Sequence, residues 1–225
     1  MVRPVYIGSE IYRRSTYGSR HPLAIPRVST VTDLVRALGW LDDGAYLDSP
    51  RATPDQLTRF HTPAYVDAVM RAERDQALSR VERERFNIGV NGNSIYGEIF
   101  RRPATACGFC YFNDPALGML AMLDGGLTRI AYVDIDAHHG DGVQDAFADD
   151  PRVLTVSVHE QGRWPGTGDA EDRAGGAARN IPVPPGFNDS EFRFVLETAI
   201  LPLVQGFEPE AIVVQCGADA LRRTR

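Results

Sequence analysis

The stretch AYVDIDAHHGDG, residues 131–142, carries the pattern that decides the fold. Its first half is an apolar strand, and its second half places acidic and imidazole side chains ahead of glycines. In an extended segment alternate side chains project to one face, so Asp134, Asp136 and His138 are expected to share a face. A carboxylate and an imidazole two residues apart at the end of a strand can reach the same cation, and the glycines let the backbone turn away beneath it. The stretch therefore predicts a metal site.

The same spacing also has an interpretation without a metal. A buried aspartate can pair with a neighbouring histidine, and short Asp-x-His motifs often arise by chance. From the spacing alone, the two interpretations are about equally weighted.

The composition indicates one globular domain spanning residues 1–225. The chain has 225 residues, is 43% hydrophobic and carries a formal charge of −6. A negative balance argues against binding to nucleic acids or membrane surfaces, which requires a basic face. The sequence contains no apolar run of the roughly 20 residues that span a bilayer, and its N-terminus does not resemble a signal peptide. We expect a cytoplasmic protein that acts on a small molecule or peptide.

The three cysteines, Cys107, Cys110 and Cys216, do not indicate a disulfide framework, because their number is odd. Cys107 and Cys110 form a Cys-x-x-Cys pair. A zinc site would require a second Cys or His pair, and a redox site would require a thioredoxin-like unit. Neither accompanies the pair, so we assign it no chemistry.

Apolar strands and capped helices alternate along the chain. Near-continuous apolar runs are typical of a parallel sheet that is covered on both faces, with ligand sites at the carboxyl ends of its strands. The predicted fold is therefore α/β, a single doubly wound, mostly parallel sheet flanked by helices. The predicted strands are 5–8, one that begins at 131 and ends in the carboxylates and imidazoles, 152–159 and 210–219. The predicted helices include 29–41 with Ser29 or Thr30 as cap, 53–60, a second from 61, 115–123, 141–147 and 188–204.

Several strings resemble one known family. Residues 132–147, YVDIDAHHGDGVQDAF, resemble the metal-binding strand of the histone deacetylase superfamily. These are arginase-like amidohydrolases that include acetoin-utilization proteins and acetylpolyamine amidohydrolases. The strings GFCYFND (108–114) and SVHEQGRWPGTG (157–168) match the family in the same order. The resemblance implies an arginase/deacetylase-like fold and zinc- or iron(II)-dependent removal of acetyl groups from acetyl-lysine or acetylpolyamine amides.

The resemblance also implies a metal centre. Asp136 and His138 would be two of its three protein ligands. Asp134 and Ser157 would lie beside them and hold a structural potassium ion.

Further positions would form the substrate path. The resemblance implies that Gly108, Phe109 and Trp164 line the tunnel for the acylated side chain. Arg27 would line an internal channel suited to acetate. Taken without the resemblance, an aromatic residue before a helix is more often part of a core, Trp164 could anchor a loop, and Arg27 could pair at the surface.

The chain departs from the family pattern in two places. Relatives carry two adjacent catalytic histidines just upstream of the string that begins at Gly108, but here residues 101–107 run directly into that string. The third ligand, an aspartate, and a catalytic tyrosine belong to segments beyond Asp219, and Thr224 stands about where that aspartate is expected. We expect an internal deletion and a C-terminal truncation relative to the family.

These departures leave three functional hypotheses. The first is a zinc-dependent, deacetylase-like amidohydrolase that lacks the tandem catalytic histidines, the third ligand aspartate and the catalytic tyrosine of the family. The second is a non-catalytic module that still binds acyl-lysine. The third is a non-functional remnant with uncovered apolar faces.

Overall fold

The computed structural model describes residues 4–9, 13, 27–90, 95 and 110–217. The chain divides into two compact units, Met1–Asp114 and Pro115–Arg225. The expectation of one domain over residues 1–225 stays a prediction. Within the described ranges, no helix is both long enough and apolar enough to cross a bilayer.

The first unit contains a small parallel sheet. Strand β1 (Tyr6–Gly8) pairs in parallel with β2 (Tyr46–Asp48). The sequence predicted β1 but not β2, because β2 is only three residues long and two of them are exposed. The described helices of this unit are α1 (Arg27–Ala37), α2 (Pro54–Leu57), α3 (Pro63–Asp75) and α4 (Arg80–Phe86).

Helix α1 differs from its prediction at both ends. The expected cap, Ser29 or Thr30, is wrong because the helix already begins at Arg27. Thr32 lies inside the helix, and its hydroxyl is 2.9 Å from the Tyr6 hydroxyl. The helix stops early because Gly39 adopts a left-handed φ of 68°, a conformation that commonly ends helices.

The two capped helices predicted from residues 53 and 61 are confirmed. The Thr53 and Thr62 side chains each accept a backbone N–H from the first turn of α2 and α3. Proline follows each cap, where its missing N–H costs nothing. Helix α2 is shorter than predicted and ends at Leu57, whose side chain is buried.

His61 packs against neighbouring aromatic rings. Its Nε2 accepts the backbone N–H of Asn113 at 3.0 Å, and its ring lies against the Tyr65 and Phe112 rings. Burial lowers the pKa of His61 to about 4. The imidazole is therefore neutral at pH 7 and free to accept that hydrogen bond.

The second unit is built on a four-stranded, fully parallel sheet. The strands are β3 (Ile130–Asp134), β4 (Val153–Glu160), β5 (Ala178–Val183) and β6 (Ala211–Gln215). Their order in the sheet is β5-β4-β3-β6. Strand β3 is thus central and buries all five of its residues, as predicted for a strand covered on both faces.

Helices cover both faces of this sheet. On one face, α5 (Asp114–Asp124) and α6 (Asp141–Ala146) contribute to a core cluster with Ile130 and Tyr132 of β3. On the other face, a continuous helical segment runs from α7 (Asp189–Val195) through a π-helical turn (Leu196–Ile200) to α8 (Leu201–Phe207). That segment packs on Ala131 and Val133. The doubly wound α/β prediction is confirmed.

Asp114, the first residue of α5, carries a buried carboxyl. Its Oδ2 atom has no hydrogen-bond partner among the described residues. Burial raises the pKa of Asp114 from 3.8 to about 8. The folded chain therefore holds a proton that the unfolded chain releases, and this group makes stability fall as the pH rises from about 4 to about 8.

We expect Asp114→Asn to remove this pH-dependent cost, because the amide resembles the protonated carboxyl in shape and cannot ionise. Relative to wild type, the free energy of unfolding of the variant should gain at most about 1.4 kcal/mol for each pH unit between about 4 and 8, the equivalent of one proton per pH unit. Urea unfolding at a series of pH values from 5 to 9 measures it. Asp124→Asn, at the exposed end of the same helix, is the control and should leave the slope unchanged. Equal slopes for wild type and Asp114→Asn would contradict the prediction.

Candidate metal centre

Two aspartates turn the chain at the end of β3. The buried Asp134 carboxylate accepts the backbone N–H of Asp136 at 3.0 Å, and Asp136 in turn accepts the backbone N–H of His138 at 2.8 Å. Such side-chain-to-backbone bonds two residues on are a common way for aspartate to form a turn. The extended alternation predicted through His138 therefore ends at Asp134, and the bend that follows is held by the carboxylates.

This bend brings Asp136 and His138 together. Asp136 Oδ1 lies 3.0 Å from His138 Nδ1. Neighbouring ligand atoms on a tetrahedral zinc ion lie about 3.3 Å apart, given metal–ligand distances near 2 Å. Asp136 is buried, whereas the His138 side chain is 28% exposed, so the pair has one open side. The expected convergence at the end of a central strand is confirmed, and the role of the two residues as metal ligands stays a prediction.

Asp134 and Ser157 lie opposite each other on neighbouring strands. Asp134 Oδ2 accepts a hydrogen bond from the Tyr132 hydroxyl at 2.7 Å. Burial and the negative charge of Asp134 raise the pKa of Tyr132. The Gly140 N–H donates to Ser157 Oγ at 3.4 Å. A side chain at Gly140 would place its Cβ 2.5 Å from Asp134 Oδ2, so only glycine fits this turn. Potassium binding by Asp134 and Ser157 stays a prediction.

Trp164 lies beside the Asp136–His138 pair. Its side chain is 64% exposed, and its ring centroid is 6.3 Å from that of His138 in an edge-to-face arrangement. Its proposed role in the tunnel is not tested by this contact. Gly108 and Phe109 lie outside the described residues, as does the Arg27 side chain, although the Arg27 backbone begins α1.

Sequence reasoning missed a buried polar cluster behind the pair. His139 and His159 are both buried, with ring centroids 4.8 Å apart, and they contact the side chains of Gln144 and Ser157. Burial and the neighbouring His139 lower the pKa of His159. The signal was present in the sequence, since Ser157 and His159 are polar residues at positions that alternate with the apolar Val156 and Val158.

The donor set at the bend fits a divalent cation of the zinc class in type, because it combines one carboxylate oxygen with one imidazole nitrogen. Among the described residues, no three His, Cys, Asp or Glu side chains gather in a ligand group. Asp219 and Thr224 lie outside those residues. Burial and the charge of Asp134 raise the pKa of Cys216, which disfavours the thiolate that a metal would require.

Comparison with known proteins agrees with this arrangement. The profile of the histone deacetylase domain matches residues 102–225. Histone deacetylase RPD3 of Saccharomyces cerevisiae is 31% identical over 249 residues, a match that covers 93% of this chain and 57% of that protein. The chain thus spans little more than half the length of this relative. The match is longer than the 225 residues of the chain, so the relative contains residues within the matched region that have no counterpart here.

Solved structures resemble the chain over almost its whole length. The crystal structure of an HDAC homolog from Aquifex aeolicus superposes with a TM-score of 0.83 at 34% identity, covering 97% of this chain and 70% of that one. A second structure, of an HDAC homolog complexed with SAHA, matches to the same degree. The parallel sheet, the bend after β3 and these similarities agree, and the chain belongs to the histone deacetylase family.

Proposed function

We propose that this protein uses Asp136 and His138 to hold a zinc or iron(II) ion that binds acetylated amines, such as acetyl-lysine or an acetylpolyamine, and that this chain does not itself complete the hydrolysis. The observation that carries the proposal is the 3.0 Å approach of a carboxylate oxygen and an imidazole nitrogen at the end of the central strand. Membership of the histone deacetylase family supports the substrate class.

The bound cation would act as a Lewis acid on the acyl carbonyl and lower the pKa of an attacking water. Asp136 would be held in place, because its carboxylate also accepts the backbone N–H of His138. Trp164 would cover one side of the acylated chain with an apolar ring. Since SAHA binds a homolog of this fold, it is a suitable probe of the same site here.

The missing step is proton transfer. Hydrolysis of an amide requires a group that takes a proton from water and returns it to the departing amine. The chain has five histidines, and the one adjacent pair is His138 and His139. Both ring nitrogens of His139 already have side-chain partners: Nδ1 lies 2.8 Å from the Thr167 hydroxyl, and Nε2 lies 3.1 Å from Gln144 Oε1. His139 is therefore held away from the role of a catalytic base, which favours binding without turnover.

We expect zinc to bind this chain weakly and to require both ligands. Calorimetric titration of zinc into metal-free protein should show binding that is lost in Asp136→Ala and in His138→Ala, because each variant leaves a single ligand. Asp189→Asn, an exposed carboxylate on α7, is the control and should bind as wild type does. Tight one-to-one binding that both variants abolish would reveal a third ligand, with Asp219 as the first candidate. Binding unchanged by either variant would refute the site.

We expect no useful turnover of a fluorogenic acetyl-lysine peptide or an acetylated polyamine by the chain with added zinc or iron(II). Loss of general acid–base assistance alone costs about 10²- to 10⁴-fold in rate. The reference is His138→Ala, whose rate should equal that of wild type. Chelator-sensitive hydrolysis by wild type that disappears in His138→Ala would show that another group transfers the proton.

The same preparation distinguishes a binding module from a remnant. SAHA should bind the zinc-loaded chain and lose affinity in His138→Ala, which removes the metal ligand. A cooperative thermal unfolding transition in both proteins shows that the comparison is between folded chains. Absence of SAHA binding by folded, zinc-loaded wild type would favour the non-functional alternative.

A further inference from the structure

A chain of hydrogen bonds runs from Asp172, at an exposed position, through the buried side chains of Gln144 and His139 to Thr167, in the loop that carries Trp164. Asp172 starts it: its carboxylate accepts the Ala174 N–H at 3.0 Å, and this bond together with one from Gln144 lowers the pKa of Asp172. An ionised carboxylate only accepts, so the Gln144 atom that lies 2.8 Å from it is the donor Nε2. Asn180 Nδ2 lies 3.2 Å from the main-chain carbonyl of Asp172, so this atom is a donor too.

The orientation of the Gln144 amide shows which ring nitrogen of His139 carries a hydrogen. The Gln144 amide has its nitrogen on Asp172, so its oxygen Oε1 faces the other way. Oε1 accepts from Asn180 Nδ2 at 2.8 Å and lies 3.1 Å from His139 Nε2. A carbonyl oxygen cannot donate, and His139 Nε2 therefore carries a hydrogen. The other ring nitrogen, Nδ1, lies 2.8 Å from the hydroxyl of Thr167, which is in the same loop as Trp164.

His159 is assigned in the same way. Its Nε2 lies 3.0 Å from the main-chain carbonyl of Gly168, so Nε2 donates. Its Nδ1 lies 3.0 Å from Ser157 Oγ. With Nε2 protonated and the ring neutral, Nδ1 accepts the Ser157 hydroxyl hydrogen. The serine oxygen then keeps its lone pairs, one of which receives the Gly140 N–H.

The loop backbone lies directly on the two imidazoles. Gly168 is buried and has a φ of 89°, which disfavours any residue with a side chain. A Cβ at this position would lie 2.6 Å from His159 Nε2 and 2.7 Å from His139 Cγ. The contact requires glycine for space as well as for conformation. Two hydrogen bonds and one close backbone contact thus join the loop to the imidazoles, a few residues from Trp164.

We propose that His139 and His159 are positioning residues that clamp the Thr167–Gly168 end of the loop and so hold Trp164 beside His138. The idea rests on the proposed function, since Trp164 matters only if Asp136 and His138 form the ligand-binding centre. Neither imidazole would touch the substrate. Their contribution is to join the metal bend and the aromatic side of the site through a network with defined donors and acceptors.

The test follows Trp164 by fluorescence. The chain has two tryptophans, and Trp40 is 76% exposed, so Trp40→Phe leaves Trp164 as the single reporter. In that background, Thr167→Val removes the hydroxyl at constant shape from an exposed position, and Thr167→Ser is the matched control that keeps it. The readouts are the anisotropy of Trp164 and its quenching by Co²⁺, a metal that quenches fluorescence at short range.

We expect Thr167→Val to lower the anisotropy of Trp164 and the quenching at saturating Co²⁺, while Thr167→Ser behaves as the parent does. Loss of one hydrogen bond of typical strength shifts the ratio of clamped to released loop by about fivefold. Gly168→Ala should produce the same changes more strongly, because its Cβ meets both rings. The rescue by serine separates a hydrogen-bond role from a general loss of structure.

Unchanged anisotropy and quenching in both Thr167→Val and Gly168→Ala would overturn the clamp. Equal losses in Thr167→Val and Thr167→Ser would overturn it as well, since the hydroxyl would then be irrelevant. If Co²⁺ does not bind the parent but anisotropy responds as expected, the clamp stands and the proposed metal site fails. The two proposals can therefore fail separately.

Discussion

The bend after β3 depends on two hydrogen bonds. Asp134 and Asp136 each accept the backbone N–H of the residue two positions further on. A buried carboxylate must be satisfied, and here the satisfying groups are the N–H groups of the bend itself, at 3.0 and 2.8 Å. The strand therefore ends where its acidic residues begin. The same bonds bring Asp136 and His138 close together, so the turn and the approach of these two side chains have one physical cause.

Close packing behind the bend depends on glycine at two positions. Gly140 lies against the Asp134 carboxylate, and Gly168 lies on the His139 and His159 rings. In both places the loop backbone approaches a polar side chain more closely than a Cβ permits. The hydrogen bonds that begin at Asp172 place a hydrogen on His139 Nε2, and the Gly168 carbonyl places one on His159 Nε2.

Family membership and hydrolysis are separate matters for this chain. The sheet, the bend and the similarity to solved structures establish the histone deacetylase family. Hydrolysis requires a proton-transferring group, and both ring nitrogens of His139, next to the proposed ligand His138, already have side-chain partners. A cation held by two protein ligands can bind a carbonyl or an inhibitor, whereas turnover needs a further group at the same point.

The sequence by itself determined the parallel α/β sheet, the central position of the strand that ends in Asp134, and the pairing of Asp136 with His138. Apolar runs and i, i+2 spacings involve residues that are close together in the chain, so they can be recognised before the fold is known. Only the tertiary structure decided that β2 exists, that α1 begins at Arg27, and that His139 and His159 meet. Those outcomes depend on contacts between residues distant in the chain, such as the contact of Gly168 with the His139 ring, and no local pattern contains such a contact.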